Sequence, residues 1–547
     1  MEQNTSRTTQ FQQAIERLQS LTAPLLTAES NKAFEAKKQE FEAQLAEARW
    51  LKVPCVGVFS AGKSSLLNVF LQKQGMLPID TMPETAVAYE IYFDTNERVE
   101  LYRDGQLIGQ QTLPNIKQLQ TQPGDVAKVY CDSPVVRDLQ NRGIVLVDMP
   151  GIGSGIETHD RAIYHYIQDG TAFVLMVDAE QGSLRAQTLS FLGELKVFEK
   201  YPAVFITKAD KKPEGELADV REYIGYQVKK FSGQAATVGV LSSVNGQTAD
   251  FQNYIYSLDA DAMLRRKMLG QFSVIAESIK AELATRVSIR QQDITNIDEQ
   301  IAAIEAEIAK AQATMPTSAE ADTPEKSAQD VLADVQTALE AKASTIAEMM
   351  AAGENEEAIK SVIVSTLRTE IIRSLQVESE QYAHALGSAV QNSVKELGAI
   401  ELNVNFMEQY GDMINTAMRV ISMLPIGGLA ARILGLIMTH LPVVKELINW
   451  FVSKSPAEVQ DKARQVYLNQ VPAIVESIRP EVLKLVSNNQ ERIAQQMQQS
   501  LVEQMGNVRE GLLEKQADAQ KSKERVAEEI AALEQAIQAV DPIAQSI

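Results

Sequence analysis

Short, almost continuously apolar runs alternate with helical patterns between residues 51 and 257. Strands that are covered by helices on both faces carry such runs, because neither face meets water. The pattern therefore predicts an α/β domain with a mostly parallel, doubly wound sheet, whose ligand loops lie at the carboxyl ends of the strands. The predicted strands are Leu51–Phe59, Ala86–Phe93, Val99–Tyr102, Gly143–Asp148, Ala172–Asp178, Ala203–Thr207 and Ala236–Leu241.

The segment before this domain has helical periodicity. Between residues 8 and 49, apolar side chains recur every three or four positions, as on one face of a helix. Thr22–Pro24 is expected to break or kink this helix. The apolar faces predicted here comprise Phe11, Ile15 and Leu18 in the first half and Phe34, Phe41, Leu45 and Ala48 in the second.

The chain after residue 258 is also predicted to be helical, without a convincing strand. Isoleucines from Ile294 to Ile308 alternate spacings of three and four, which is typical of a coiled-coil seam. One helix over Met263–Ala311 would be about 70 Å long at roughly 1.5 Å per residue. Further helices are predicted from Pro324 to about Asn403 and from about Pro456 to Val540. We therefore expect an elongated all-α helical-bundle stalk beside the α/β domain.

One stretch of the helical part is far more apolar than the rest. Val420 to Val444 carries one full charge, Arg432, and is long enough by count to span a bilayer. Prolines and glycines divide it, which favours two short apolar pieces in a hairpin. Trp450 and Phe451 follow, with lysines nearby, as in an interfacial membrane anchor. The alternative is a hairpin buried in the core of the helical domain.

These patterns divide the chain into five predicted parts. They are an N-terminal helical segment (1–50), a nucleotide-binding domain (51–258), a helical neck and trunk (259–414), an apolar hairpin (415–454) and C-terminal helices that return along the trunk and neck (455–547).

Composition narrows the class of protein. The chain has 547 residues, of which 45% are hydrophobic and 23% charged, as expected for several globular domains. Its formal net charge of −20 argues against a broad nucleic-acid-binding surface. Cys55 and Cys131 are predicted to be buried thiols rather than disulfide partners, which indicates a reducing compartment. The first residues lack the apolar core of a signal peptide, so we expect a cytoplasmic protein.

The loop after the first predicted strand carries the chemistry. Gly57–Ser64 fits the phosphate-binding pattern G-x-x-x-x-G-K-[ST], with a strand before it and a helix after it. Backbone N–H groups would face the phosphates, Lys63 would reach the β- and γ-phosphates, and the Ser64 hydroxyl would bind Mg²⁺. The residues expected to contact the nucleotide here are Gly57, Ser60, Ala61, Gly62, Lys63, Ser64 and Ser65.

A second motif indicates which nucleotide base is bound. Thr207–Asp210 reads T-K-x-D at the end of a predicted strand. The Asp210 carboxylate can accept hydrogen bonds from guanine N1–H and the exocyclic amino group, whereas adenine offers no such pair of donors. The Lys208 stem would cover the base, and Ser242 and Ser243 would lie behind it. The sequence therefore predicts GTP and GDP as ligands.

A third motif completes the predicted Mg²⁺ site. Asp148–Gly151 reads D-M-P-G after a predicted strand. Asp148 would hold Mg²⁺ through water, and the Gly151 N–H would meet the γ-phosphate. Thr85, in the loop before the next strand, is the candidate that completes the Mg²⁺ shell, with Thr81 as the alternative.

Together these motifs resemble the dynamin superfamily of large GTPases. The matching runs are Ser60–Asn68, Leu77-Pro78 followed by Thr85, Asp148–Gly151 and Thr207–Asp210, in the same order and with similar gaps over residues 51–257. The helical remainder, with its apolar segment between long helices, resembles bacterial dynamin-like proteins, in particular the group that includes the labile-enterotoxin-output GTPase.

The resemblance implies a GTPase that couples nucleotide-dependent pairing of its heads to membrane binding or remodelling. It implies as partners a second copy of the chain, a second dynamin-like chain, and membrane lipid contacted through residues 420–451 at the inner face of the membrane. The neck would combine the helix around Ile15, the helix after Asp259 and the C-terminal helix. The alternative is a soluble regulatory GTPase whose helices recruit a protein partner and bury the apolar segment. A ribosome-assembly GTPase is disfavoured by the acidity of the chain.

The resemblance also assigns catalytic roles. Ser60 matches a serine that helps to organise the hydrolytic water and the paired state, so Ser60, Lys63 and Thr85 are the candidate catalytic residues. Phe59 stands where eukaryotic relatives carry glutamine, and Ile152 stands where small signalling GTPases carry the water-orienting glutamine. We therefore expect hydrolysis to be slow in the single molecule and faster on pairing, or the protein to act mainly through binding.

The loop between Asp178 and Arg185 follows a strand at the ligand edge and is expected to supply pairing contacts. Arg185 is a candidate arginine finger, although a solvated surface arginine is the favoured interpretation because charged side chains usually face water.

Overall fold

The computed structural model describes residues 2–58, 60–79, 87–103, 105–122, 125–152, 166, 172–197, 200–291, 296–313, 321–354, 356–396 and 456–547. The apolar segment Val420–Val444 and the aromatic residues Trp450 and Phe451 lie outside these residues. No helix within the described ranges combines the length and the apolar character that crossing a membrane requires.

The strands of the described chain form one nine-stranded sheet. They are β1 Leu51–Gly57, β2 Ala88–Phe93, β3 Arg98–Arg103, β4 Gln106–Thr112, β5 Val126–Cys131, β6 Ile144–Asp148, β7 Val174–Asp178, β8 Ala203–Thr207 and β9 Val238–Val240. Their order across the sheet is β4-β3-β5-β2-β6-β1-β7-β8-β9.

Helices occupy most of the remaining described residues. Those in or beside the sheet domain are α1 Glu2–Thr22, α2 Ala28–Glu47, α3 Lys63–Phe70, α4 Pro134–Asn141, α5 Ala186–Val197, α6 Glu214–Ser232 and α7 Ala249–Ser257. Those that follow are α8 Ala260–Gln291, α9 Ile297–Ala313, α10 Pro324–Ala341, α11 Ala343–Ala351, α12 Glu356–Glu396, α13 Pro456–Asp518 and α14 Lys523–Gln545.

The sheet is parallel in its centre, as the apolar runs predicted. Strand β1 pairs in parallel with both β6 and β7, and β8 continues the parallel order to β9. On the other side, β2 runs antiparallel to β6, and β3 is antiparallel to both β4 and β5. The mostly parallel α/β fold with a helical second part is thus confirmed.

Two strands were missing from the prediction. Strand β4 pairs only with β3 at the sheet edge, and its side chains are mostly exposed, so it lacks an apolar run. Strand β5 does alternate buried and half-buried side chains, a period-2 signal that the search for continuous apolar runs passed over.

The N-terminal helices share a core with one face of the sheet. The helix breaks between Thr22 and Ala28, as predicted, and the Thr27 hydroxyl caps α2 by accepting from the Ser30 N–H. The rings of Phe11 and Phe41 pack edge to face at 6.0 Å between centroids, and Phe41 packs in the same way on Phe272 of α8. The same core includes Leu533 of α14.

A single helix over Met263–Ala311, whose length was considered above, does not form, because the described chain has two helices there. Helix α8 ends at Gln291 and α9 begins at Ile297. Between them Asn296 has φ = 57°, a left-handed conformation that asparagine tolerates and a continuous helix excludes. The isoleucines of α9 then pack on α13; the contacting residues are Ile297, Ile301, Ile304, Ile308, Leu501, Met505, Val508 and Leu512.

Helices α10 to α13 form a second hydrophobic core. Val331, Ile346, Ile363 and Tyr467 are all buried in it. Helix α10 begins at Pro324, as predicted, and Thr323 caps its first turn. Helix α5 of the sheet domain packs against α12, which joins the two parts of the molecule.

Candidate nucleotide-binding site

The loop between β1 and α3 makes a tight turn that only small residues permit. A Cβ on Gly57 would lie 2.4 Å from the Met176 carbonyl oxygen, which no side chain allows. Gly62 has φ = 81° immediately before α3, a conformation that glycine adopts without strain. The Ala61 N–H donates to the Val58 carbonyl at 3.1 Å and closes the turn. This is the geometry that presents backbone N–H groups to an anion at a helix N-terminus.

Lys63 lies folded over this loop. Its ammonium donates to the Gly57 carbonyl at 3.1 Å, and the side chain is almost fully buried. Burial lowers the pKa of Lys63 from its ordinary value, and the nearby Asp148 carboxylate opposes that shift. A cation held in this position is available to the oxygens of a bound phosphate.

Ser64 and Asp148 meet beside Lys63. The Ser64 hydroxyl donates to Asp148 Oδ2 at 2.6 Å, although 84 residues separate them in the chain. Burial raises the pKa of Asp148 to about 6, while Lys63 and the Ser64 hydrogen bond act in the opposite direction.

The second carboxylate oxygen of Asp148 is available to bind a ligand. Oδ1 is buried and accepts no hydrogen bond among the described residues. A buried orphan oxygen next to a hydroxyl suits a hard cation such as Mg²⁺, which takes one or two protein oxygens and completes its shell with water and phosphate. The described residues contain no cluster of three or more His, Cys, Asp or Glu side chains that would hold a metal without a nucleotide.

The D-M-P-G segment runs alongside the phosphate loop. The Met149 N–H donates to the Cys55 carbonyl at 3.3 Å, and the Ile152 N–H donates to the Gly57 carbonyl at 3.0 Å. Gly151 is therefore buried next to the loop that begins at Gly57.

The T-K-x-D segment meets the same loop from the other side. The Thr207 hydroxyl donates to the Ala61 carbonyl at 2.6 Å, and it lies 3.1 Å from the Val177 carbonyl. Lys208 follows in a left-handed conformation, with φ = 54°. The Ala209 N–H donates to the Leu241 carbonyl at 3.0 Å, which ties the segment to the end of β9.

Asp210 is oriented by Ser242. The Ser242 hydroxyl donates to Asp210 Oδ1 and accepts from the Asn245 N–H at 3.2 Å. Ser242 is fully buried, Ser243 is half-buried and Asp210 is exposed. Ser242 therefore contacts the Asp210 carboxylate, a contact that the sequence did not predict.

Residues 53–209 match the family model described as the Dynamin family. This region of the chain is similar to the dynamin family. The matched region begins in β1 and ends one residue before Asp210, so it contains the phosphate loop, the D-M-P-G motif and the first three residues of the T-K-x-D motif.

One curated protein is similar to part of the chain. An uncharacterized protein in the xynA 3′ region of Caldicellulosiruptor sp. (strain Rt8B.4) is 26% identical over 182 residues, which are 32% of this chain and 44% of that protein. The chain thus spans less than half the length of this curated relative.

Two solved structures illustrate the range of structural similarity. An oligomerised bacterial dynamin pair described as sensing and tethering membranes is 12% identical, covers 92% of this chain and 91% of its own, and has a TM-score of 0.34. A Tyr-to-Ala variant of Aquifex aeolicus Era bound to GDP and AlF4⁻ is 15% identical, covers 38% of this chain and 56% of its own, and has a TM-score of 0.24. The similarity to the dynamin family rests on the matched residues 53–209.

Some of the predicted site positions lie outside the described residues, namely Phe59, Thr81 and Thr85. Of the predicted phosphate-loop residues that are described, Ser60 has φ = 62° and is exposed, and Ser65 is half-buried in the first turn of α3. Arg185 is exposed one residue before α5, as expected of a surface arginine.

Sequence reasoning missed the roles of two buried polar residues in the domain. The Asn68 side chain donates to the Leu77 carbonyl at 3.0 Å and accepts from the Leu77 N–H at 2.8 Å, which fastens the start of the loop that leads to Thr85. Asp178 forms an ion pair with Lys208 at 2.6 Å. The sequence had suggested for this loop only contacts between two paired molecules. In both cases the sequence contained a signal. Asn68 is a polar residue in the mostly apolar helix α3, and Asp178 is a polar residue at the end of the apolar strand β7.

Proposed function

We propose that this protein binds GTP and GDP with Mg²⁺ and hydrolyses GTP to GDP and phosphate. The observation that carries the proposal is the hydrogen bond from Thr207 Oγ1 to the Ala61 carbonyl, 2.6 Å long. It holds the base-reading segment against the phosphate loop, so that one nucleotide can contact both. The family match over residues 53–209 supports the same activity.

At the phosphate end, each residue has a distinct task in this proposal. Lys63 offers its buried ammonium to the β- and γ-phosphate oxygens, and the N–H groups around Gly62 bind the same phosphates. Ser64 and Asp148 hold the Mg²⁺, which neutralises developing charge on the phosphate oxygens when it is bound. Gly151 offers its N–H to the γ-phosphate and would distinguish GTP from GDP.

At the base end, guanine selectivity is assigned to Asp210. Its carboxylate accepts from N1–H and the amino group of guanine, and the Ser242 hydroxyl keeps one oxygen in a fixed orientation. An adenine base would leave the carboxylate without its donors, and an unpaired polar group at a binding site costs affinity.

Hydrolysis is proposed to depend on self-association. The residue after Gly151 is Ile152, whose apolar side chain cannot orient a water molecule by hydrogen bonding. Ser60, exposed on the phosphate loop, would act with a second GTPase domain to complete the site. We expect Thr85 to contribute to Mg²⁺ coordination and catalysis.

The proposal also includes coupling of the nucleotide cycle to a membrane. Residues 415–454 would contact lipid at the inner face of the membrane, and the helices α1, α2, α8 and α14 would form the neck. These helices share a hydrophobic core with the sheet, which supports transmission of a nucleotide-dependent change from the domain to the helices. A second dynamin-like chain is a further candidate partner.

Nucleotide chemistry is tested by calorimetric titration with GTP, GDP and ATP in Mg²⁺, followed by phosphate release at increasing protein concentration. We expect guanine nucleotides to bind, ATP to fail, and the rate per molecule to rise with concentration. Lys63→Ala should abolish binding. Tight GTP binding by that variant would contradict the phosphate-loop assignment.

Membrane coupling is tested by liposome co-sedimentation with GDP and with a slowly hydrolysed GTP analogue. Charged substitutions at Leu434 and Leu436 should prevent pelleting. Leu107→Asp is the matched control, because Leu107 is an exposed leucine of the edge strand β4 outside the helical part. Failure to pellet in every nucleotide state would favour the alternative, a soluble regulatory GTPase with a protein partner.

A further inference from the structure

Asp178 and Lys208 form an ion pair at the carboxyl ends of two neighbouring strands. Asp178 is the last residue of β7 and lies opposite Thr207, the last residue of β8. The Lys208 ammonium, one residue further along, lies 2.6 Å from Asp178 Oδ2. The other oxygen of Asp178 accepts from the Glu180 N–H at 2.9 Å. Both oxygens of the carboxylate are therefore engaged, and its orientation is determined.

The ion pair directs the Lys208 stem across the nucleotide site. Lys208 Cε lies 3.9 Å from the position that a Cβ on Gly62 would occupy. The stem therefore lies near Gly62 of the phosphate loop, and Asp178 holds its charged end. A free lysine side chain is flexible and loses conformational entropy when it is ordered, so a stem that is already held presents a preformed apolar surface.

Burial distinguishes this pair from the surface ion pairs around it. The side chain of Asp178 is 11% exposed and that of Lys208 is 27% exposed. The same two loops are joined by a second pair, Lys211 with Glu180, also at 2.6 Å, whose side chains are 45% and 53% exposed. Exposed pairs contribute little because water screens them, so the two pairs offer an internal comparison at equal distance.

We propose that Asp178 is a positioning residue for the nucleotide base, acting through Lys208. It holds the ammonium so that the methylene stem lies along one face of the guanine ring. This inference rests on the proposed guanine-nucleotide function and adds a residue to that site. Because the stem contacts the base, Asp178 should affect GDP and GTP equally and should leave the γ-phosphate chemistry unchanged.

The first test is Asp178→Asn, which keeps the size of the side chain and an acceptor for the Glu180 N–H. We expect GDP and GTP to bind about tenfold more weakly, in keeping with the loss of one charge-assisted contact. Single-turnover hydrolysis at saturating GTP should be unchanged, so the effect appears in KM and not in kcat. Equal loss of kcat would overturn the positioning role.

The second test is a double-mutant cycle with Lys208→Met, which keeps an unbranched stem and removes the ammonium. If Asp178 acts through Lys208, Asp178→Asn will not weaken binding further in the Lys208→Met background. Additive losses would show that Asp178 acts by another route and would overturn the inference. Glu180→Gln, which breaks the exposed neighbouring pair, is the matched control and should change affinity less than about twofold.

Measurements on the wild-type protein distinguish a failure of the proposed function from a failure of the role inferred for Asp178. Failure of the wild type to bind GDP in Mg²⁺ would overturn the proposed function itself. Binding by the wild type together with undiminished binding by Asp178→Asn would overturn only the role of Asp178.

Discussion

Arg368 and Glu194 form a buried ion pair that joins the helical bundle to the sheet domain. Arg368 Nη1 on α12 lies 3.3 Å from Glu194 Oε2 on α5, and the two side chains are only 3% and 5% exposed. Helix α5 begins eight residues after Asp178, at the end of the loop that leaves the nucleotide site. The pair therefore marks the place where this domain and the bundle are held in register.

Removing one partner of this pair should be costly, because the other buried charge would lose its ion-pair contact at 3.3 Å. We expect Glu194→Leu to lower the free energy of unfolding, or of docking between the two parts, by roughly 3–5 kcal/mol. The double variant Glu194→Leu with Arg368→Met should recover most of that loss, since apolar replacements of both partners are often neutral. Denaturant unfolding of both variants gives the comparison.

A control for this prediction lies on the same helix. Arg373 of α12 pairs with Asp334 at 3.0 Å, and both side chains are 50% exposed. Arg373→Met should change stability by at most about 1 kcal/mol, as is usual for exposed pairs. If Glu194→Leu changed stability no more than this control, the buried pair would have no role in joining the two parts.

Asp148 should make the stability of the metal-free protein depend on pH. Burial raises its pKa from 3.8 to about 6. The folded protein thus keeps this proton where the unfolded chain has lost it, so the contribution of Asp148 to stability is full below pH 4 and is lost as the pH rises through about 6. The loss is at most about 1.4 kcal/mol per pH unit. Thermal unfolding in EDTA should show this slope in the wild type and not in Asp148→Asn.

The same carboxyl should make Mg²⁺-dependent nucleotide binding weaken in acid. A protonated Asp148 is a poor cation ligand, so lowering the pH from 7 to 5 should reduce GDP affinity in Mg²⁺ more than in EDTA. Asp148→Asn should remove that difference, which also controls for titration of the nucleotide phosphates. An identical pH profile with and without Mg²⁺ would contradict a role for Asp148 at the metal.

Ser242→Ala should weaken guanine binding through Asp210. The exposed carboxylate would lose the hydroxyl that orients one of its oxygens. We expect an affinity loss of about fivefold, in line with the net value of one hydrogen bond. Ser243→Ala should have a smaller effect, because its half-buried hydroxyl is adjacent to that contact and not in it. The reverse order in titrations with GDP would place the base against Ser243 instead.

Asn68→Ala should loosen the backbone at Leu77. Asn68 is 3% exposed and makes two hydrogen bonds to the backbone of Leu77, so its truncation leaves a buried N–H and C=O without partners. We expect a stability loss of about 1–3 kcal/mol and faster dissociation of Mg²⁺-GDP, measured with a fluorescent nucleotide. Unchanged dissociation with reduced stability would limit Asn68 to a structural role.

The local sequence pattern was sufficient to predict much of the fold and the phosphate loop of this protein. The phosphate loop is recognisable because Gly57, Gly62, Lys63 and Ser64 lie within eight residues, and each is needed for a backbone or charge reason that does not depend on the rest of the chain. Apolar runs determined the parallel centre of the sheet, and turn chemistry located the break after Thr22. These signals act between residues that are close in sequence.

Tertiary structure decided the features that join distant residues. The polar edge strand β4 is stable only because β3 lies beside it, and the break at Asn296 overrides a helical pattern that continues on both sides. Likewise the partners of Lys208, Asp210 and Glu194 lie 30, 32 and 174 residues away. Strand order and helix packing choose such partners, and sequence spacing carries no information about them.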